Sequence, residues 1–170
     1  MLRAVPKNWF SWKFEIFDGE VCVANLDLPD GTPGLFFISA IQGRTFEIFL
    51  EEKITFKDLL LWKLDYDDFP ILLREDGRTI ASATKPSSFM ETFDVVFDQT
   101  GYILQSRQGY GRRFELADGS QVVGSIHPVH LFSGKAIVEL PEYLPLEVQV
   151  FITGLVFSQW KKQTHNRSTV

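Results

Sequence analysis

This sequence predicts a mostly β fold, a twelve-stranded antiparallel barrel closed around an apolar C-terminal helix. Three observations carry the prediction. Asp-Gly pairs recur between apolar stretches at 18–19, 76–77 and 118–119. The stretches beside them alternate apolar and polar residues with a period of two, as half-buried strands do. Near the C-terminus the alternation stops and a longer, nearly continuous apolar segment begins.

Composition agrees with a single folded domain spanning residues 1–170. Hydrophobic residues make up 45% and charged residues 23%, with 16 Phe, 4 Trp and 4 Tyr. Aromatic and β-branched side chains suit the half-buried face of a sheet. The net charge of −5 argues against non-specific nucleic-acid binding, which needs a basic field to displace counterions. A single cysteine, Cys22, excludes an intramolecular disulfide and a multi-cysteine zinc site. No continuous apolar stretch follows the early positive charges, so no secretory signal is read and a cytoplasmic protein is expected.

The turns set the frame. Asp-Gly supplies the positive φ angles that tight hairpins require. Asp30-Gly31 lies in a more open loop between Pro29 and Pro33, and Asp98-Gln99-Thr100-Gly101 is a longer relative. The expected strands are 12–17, 21–28, 34–41, 45–50, 53–56, 69–74, 79–85, 93–98, 102–107, 112–117, 121–127 and 135–139. Phe46, Ile48 and Leu50 face one way and Glu47 the other. Phe93, Val95 and Phe97 do the same around Asp94, and Phe114 and Leu116 bracket Glu115. Cys22, Ala24, Leu26 and Leu28 alternate with Val23, Asn25 and Asp27, which makes Cys22 a small core residue. Residues 57–64 read equally as a short helix or a strand. Gly43-Arg44-Thr45-Phe46-Glu47-Ile48 resembles Gly111-Arg112-Arg113-Phe114-Glu115-Leu116, which suggests two β-meanders of similar design.

Pro141-Glu142-Tyr143-Leu144-Pro145 ends the strand pattern. Pro145 suits the first turn of a helix, Glu147 its positive end, and Lys161 and Lys162 its negative end. A helix is expected over about 145–162, followed by a polar tail at 163–170. Val148, Phe151, Ile152, Leu155 and Val156 belong to a surface that is apolar nearly all round and must be covered by protein or lipid. From Leu144 to Trp160 the helix would run ~25 Å at ~1.5 Å per residue, short of the ~30 Å hydrocarbon core of a bilayer. Glu147, Gln149, Thr153, Ser158 and Gln159 interrupt it. A core helix is the favoured reading; a tail-anchored membrane protein with a cytosolic β-domain is the alternative. Twelve strands close into a barrel too wide for side chains alone to fill. The helix fills it.

Arg107, Arg112 and Arg113 surround the turn Gln108-Gly109-Tyr110-Gly111 and are the candidate site for an anionic ligand, since guanidinium forks match phosphate oxygens. The competing reading is a solvated hairpin tip whose arginines balance nearby carboxylates. His127 and His130 lack a third ligand, and Asp65-Tyr66-Asp67-Asp68 lacks the spaced oxygens and glycine of a calcium loop. Trp9, Phe10 and Trp12 suit the plug of a barrel end or a docking surface. There is no nucleophile elbow, phosphate-binding glycine loop or zinc-protease helix motif. No catalytic residue, metal or cofactor is therefore assigned.

The order of elements ends in Gly-Arg-Arg-Phe-Glu-Leu, Val123-Gly124-Ser125-Ile126, Ile137-Val138-Glu139-Leu140-Pro141 and Leu144-Pro145-Leu146-Glu147-Val148-Gln149-Val150-Phe151. Over about residues 12–162 this resembles the tubby C-terminal-like superfamily, in particular its small members related to LURP-one proteins and phospholipid scramblases. The resemblance implies a twelve-stranded barrel around a helix. It also implies a non-catalytic module that binds anionic phospholipid headgroups or a protein partner on its outer surface, with peripheral membrane association. The segment Phe132–Glu139 lacks the clustered carboxylates of a calcium site, so calcium-dependent lipid movement is not expected. An enzyme acting on a small molecule is the remaining alternative. A helix in the barrel argues against it, because the helix occupies the place of a ligand.

Overall fold

The computed structural model describes residues 1–8, 12–28, 37–41, 43–50, 70–86, 91–107, 112–130 and 134–167. Among these residues twelve strands run β1 (Leu2–Pro6), β2 (Lys13–Asp18), β3 (Val21–Asp27), β4 (Phe37–Ile41), β5 (Arg44–Leu50), β6 (Ile71–Glu75), β7 (Arg78–Thr84), β8 (Thr92–Phe97), β9 (Thr100–Ser106), β10 (Phe114–Asp118), β11 (Gln121–Pro128) and β12 (Ala136–Glu139). Helix α1 (Leu146–Arg167) follows. Each strand pairs antiparallel with its neighbours in sequence, and β1 pairs with β12 to close the barrel. The closing register sets Leu2 against Val138, Arg3 against Ile137 and Ala4 against Ala136.

The fold class matches the expectation. Strand β1 was not foreseen, and the expected strand 53–56 lies outside the described residues, as do 57–64, Asp65–Asp68, Trp9, Phe10 and Asp30-Gly31. Leu2 and Ala4 point into the core while Arg3 points out. That alternation is too short to announce a strand until β12 and β2 flank it.

An up-and-down barrel has two unlike ends, and this one shows the difference strongly. The described even-to-odd connections, 19–20, 76–77, 98–99 and 119–120, are tight turns. Asp76 and Gly77 have φ of 49° and 77°, the paired positive values of a two-residue hairpin turn. Asp98 and Gln99 adopt 47° and 64° without a glycine. The odd-to-even connections at the opposite end are longer. The helix enters at the tight-turn end and finishes at the long-connection end.

Three hairpins, β2–β3, β6–β7 and β10–β11, share a register shift at the same place, just beyond the pairs Ile16 with Ala24, Leu73 with Ala81 and Leu116 with Gly124. The extra residues, Val23, Ile80 and Val123, pack partly against the core. This bulge corrects one expectation. Cys22 is exposed, because inserting Val23 turns its neighbour outward. The repeat seen at Gly43 and Gly111 is not a structural unit: β5 and β10 run in opposite directions around the barrel, and the recurring unit is the bulged hairpin.

Helix α1 is buried on every side from Val150 to Trp160, which places it inside the barrel. Val148, Phe151, Ile152, Leu155 and Val156 are all fully buried, as expected. The carbonyl of Pro145 accepts from the amides of Val148 and Gln149, both at 3.0 Å, so the helix starts where the proline predicted. The Gln149 side chain donates to the Leu144 carbonyl at 2.8 Å. Buried hydroxyls are met within the helix: Thr153 donates to the Gln149 carbonyl at 2.8 Å and Ser158 to that of Leu155 at 2.7 Å. The helix runs five residues past the expected end at 162, so most of the expected polar tail is helical. Hydrogen bonds to the long-connection end hold the last turns of the helix. Lys161 donates to the Leu28 carbonyl at 3.2 Å, Gln163 to the Glu91 carboxylate, and Arg112 to the Thr164 hydroxyl at 3.2 Å.

Candidate functional site

With its core occupied by α1, the barrel offers ligands its outer wall and its two ends. Among the described residues no helix is long and apolar enough to cross a membrane. No group of three or more His, Cys, Asp or Glu among them could hold a metal ion. His127 lies on β11, half-buried, and His130 lies exposed just beyond the strand end.

The arginine turn is brought together, but its charge is largely spoken for. The Arg107 amide donates to the Arg113 carbonyl at 2.9 Å, which closes the β9–β10 connection. Glu115, next along β10, receives both flanking guanidiniums. Arg107 Nη1 lies 2.9 Å from its Oε1 and Arg113 Nε lies 3.4 Å from the same atom, the latter off hydrogen-bond alignment. Arg113 Nη2 also donates to Ser125 Oγ at 3.3 Å, and Ser125 in turn donates to Glu139 at 3.3 Å. Arg112 is directed to Thr164 on the helix. The three arginines thus meet one carboxylate, Glu115, and two hydroxyls, Ser125 and Thr164.

A different constellation appears at the seam where β1 closes the barrel. A groove of about 440 Å³ is lined by Arg3, Val5, Glu15, Phe17, Val129 and Lys135. Strand register explains how these residues meet. Arg3 stands opposite Phe17 and Val5 opposite Glu15 across β1 and β2. On the other flank the Val129 amide donates to the Lys135 carbonyl at 2.9 Å, pinching the base of the β11–β12 connection beside β1. Gly134 seats that connection against the Pro6 ring, where an added Cβ would come within 3.2 Å.

Val5, Phe17 and Val129 are half-buried and form an apolar floor; Arg3 and Lys135 are exposed on its sides. The Arg3 guanidinium lies 5.8 Å from the centroid of the Phe17 ring, which orients it over the floor. Among the described residues neither Arg3 nor Lys135 has a carboxylate partner. Glu15 is the one acid of the lining, and Lys7 sits 3.6 Å from it. Chemically, this is a place for a group with anionic oxygens at one part and hydrocarbon at another. Sequence reading missed it. Arg3 belongs to an unforeseen strand and Lys135 stands some 130 residues away; only the faint alternation of Leu2-Arg3-Ala4-Val5 pointed to β1.

Comparisons with protein-family models, with curated proteins and with solved structures give no match to this chain.

Proposed function

We propose that this protein is a non-catalytic binding module that engages anionic phospholipid headgroups on the outer wall of its barrel. The observation that carries the reading is the seam groove, where Arg3 and Lys135 flank an apolar floor of Val5, Phe17 and Val129. A headgroup phosphate pairs with the two cations, and the glycerol and upper acyl carbons cover the floor. The barrel-around-helix architecture supports it too, since that is the architecture the tubby-like resemblance implies, and it leaves the outer wall for recognition. Arg107, Arg112 and Arg113 become structural residues in this reading, because Glu115 and Thr164 engage them.

The test is sedimentation with vesicles of neutral phosphatidylcholine, alone or with anionic phosphatidylserine or a phosphoinositide. The protein is expected to pellet with the anionic vesicles at low salt and to be released as ionic strength rises. Arg3→Glu/Lys135→Glu is expected to abolish pelleting, whereas Arg107→Gln is not. Failure of the unmodified protein to pellet with either anionic vesicle at low salt would sink the reading.

A further inference from the structure

The tight-turn end of the barrel concentrates two surface features. Beyond Met1, the exposed large hydrophobics among the described residues are Val21, Val96, Ile103, Val122 and Tyr143. Val21, Val96, Ile103 and Val122 lie within four residues of a tight turn, and Tyr143 lies in the connection from β12 to the helix at the same end. On β8–β11 they form a connected stripe. Ile103 stands opposite Ala117, and Ala117 opposite Val122. Val96 faces Gly101, one step diagonally from Ile103 on the same outer face. Val96 is 44% exposed, Ile103 41%, Val122 51% and Tyr143 62%.

Three exposed carboxylates stand at the same end. Asp98 and Asp118, from adjacent tight turns, and Glu142, beside Tyr143, are all exposed. Among the described residues none of the three forms an ion pair. Burial and Tyr143, followed by the charges of Asp118 and Asp98, raise the pKa of the Tyr102 phenol at this end above its ordinary value. Asp98 itself occupies a positive-φ turn position, at φ of 47°.

We propose that this sector of the barrel end is a protein-docking surface for a basic, amphipathic segment, whose apolar side chains cover Val96, Ile103, Val122 and Tyr143 while its Lys or Arg residues pair with Asp98, Asp118 and Glu142. The argument is charge complementarity. Exposed apolar side chains at the same end as unpaired carboxylates favour cationic partners and repel acidic ones, anionic membranes included. The surface is separate from the seam groove and opposite to it in charge.

The probe is a fluorescein-labelled synthetic peptide alternating Lys and Leu, titrated with the full chain and followed by fluorescence anisotropy. A peptide with Glu in place of Lys is the control. Saturable binding of the Lys peptide alone is expected. Val96→Thr/Ile103→Thr/Val122→Thr and, separately, Asp98→Asn/Asp118→Asn should each weaken it about tenfold or more. Thr keeps strand propensity and Asn tolerates the positive φ at 98, so both variants should retain the fold, which circular dichroism checks. Arg3→Glu/Lys135→Glu should bind the peptide unchanged, so a failure of the lipid reading leaves this result intact. Equal binding by the variants, binding of the Glu peptide, or no binding of the Lys peptide would each overturn the proposal.

Discussion

The rings of Phe14 and Phe157 meet inside the barrel with centroids 4.3 Å apart and planes tilted by 45°, one from the β2 wall and one from the central helix. Phe157 also stacks on Trp160 at 5.0 Å, and Phe14 reaches Trp12 at 6.2 Å. A continuous aromatic column therefore ties the helix to the wall near the long-connection end. Truncation at its centre removes contacts to both sides. Phe157→Ala is expected to destabilise the protein by about 3–5 kcal/mol. Urea unfolding followed by tryptophan fluorescence would show a lower midpoint with an unchanged slope. A loss below about 1 kcal/mol would contradict close packing between helix and wall.

Gln99 sits at φ of 64° beside Asp98 at 47°. A side chain in the left-handed region costs about 1–2 kcal/mol, and glycine removes that cost while adding chain entropy to the unfolded state. Gln99→Gly is expected to stabilise the protein by about 1 kcal/mol, seen as a rise of ~2–4 °C in a thermal melt. A fall in melting temperature would show that the Gln99 side chain makes a contact worth more than the strain.

Gly124 has the opposite character. A Cβ there would lie 2.6 Å from the backbone oxygen of Glu139 and 3.1 Å from the Leu140 side chain. Backbone offers no room to yield, and β12 must move for the substitution to fit. Gly124→Ala is expected to cost about 1–3 kcal/mol. Because β12 closes against β1, hydrogen exchange should quicken first at the seam, in Leu2–Pro6 and Ala136–Glu139.

Burial raises the Tyr102 phenol above its ordinary pKa of 10.0, helped by Tyr143 and by the charges of Asp118 and Asp98. The folded state therefore holds this proton more tightly than the unfolded chain does. Its contribution to stability is complete below the unfolded value and is lost as pH climbs through the folded one. Ultraviolet titration of the phenols should show one group ionising later than the rest. Tyr102→Phe should remove that late step and flatten the alkaline loss of stability. An unchanged late step would assign it to another tyrosine.

Much of the fold was readable because it is local. Asp-Gly turns, alternation such as Phe46-Glu47-Ile48 and Phe114-Glu115-Leu116, and the proline-led apolar helix act within a few residues. Burial of Val148, Phe151, Ile152, Leu155 and Val156 follows from a helix that has no polar face to offer water. Those features determine the strands, most of their facing, and the need for something to enclose the helix.

The remainder was decided by contacts that no local pattern records. β1 exists because Leu2 and Ala4 find Val138 and Ala136 at the far end of the chain. Cys22 turns outward because one extra residue enters the β2–β3 ladder, and a single-residue shift moves side chains to the other face. Arg107 and Arg113 share the one nearby carboxylate of Glu115, but only tertiary structure sends Arg112 to Thr164. The seam groove has no sequence signature beyond the faint alternation of Leu2-Arg3-Ala4-Val5. Its two cations come from opposite ends of the chain, and they share a surface because closing the barrel satisfies the edges of β1 and β12, which would otherwise expose unpaired backbone groups.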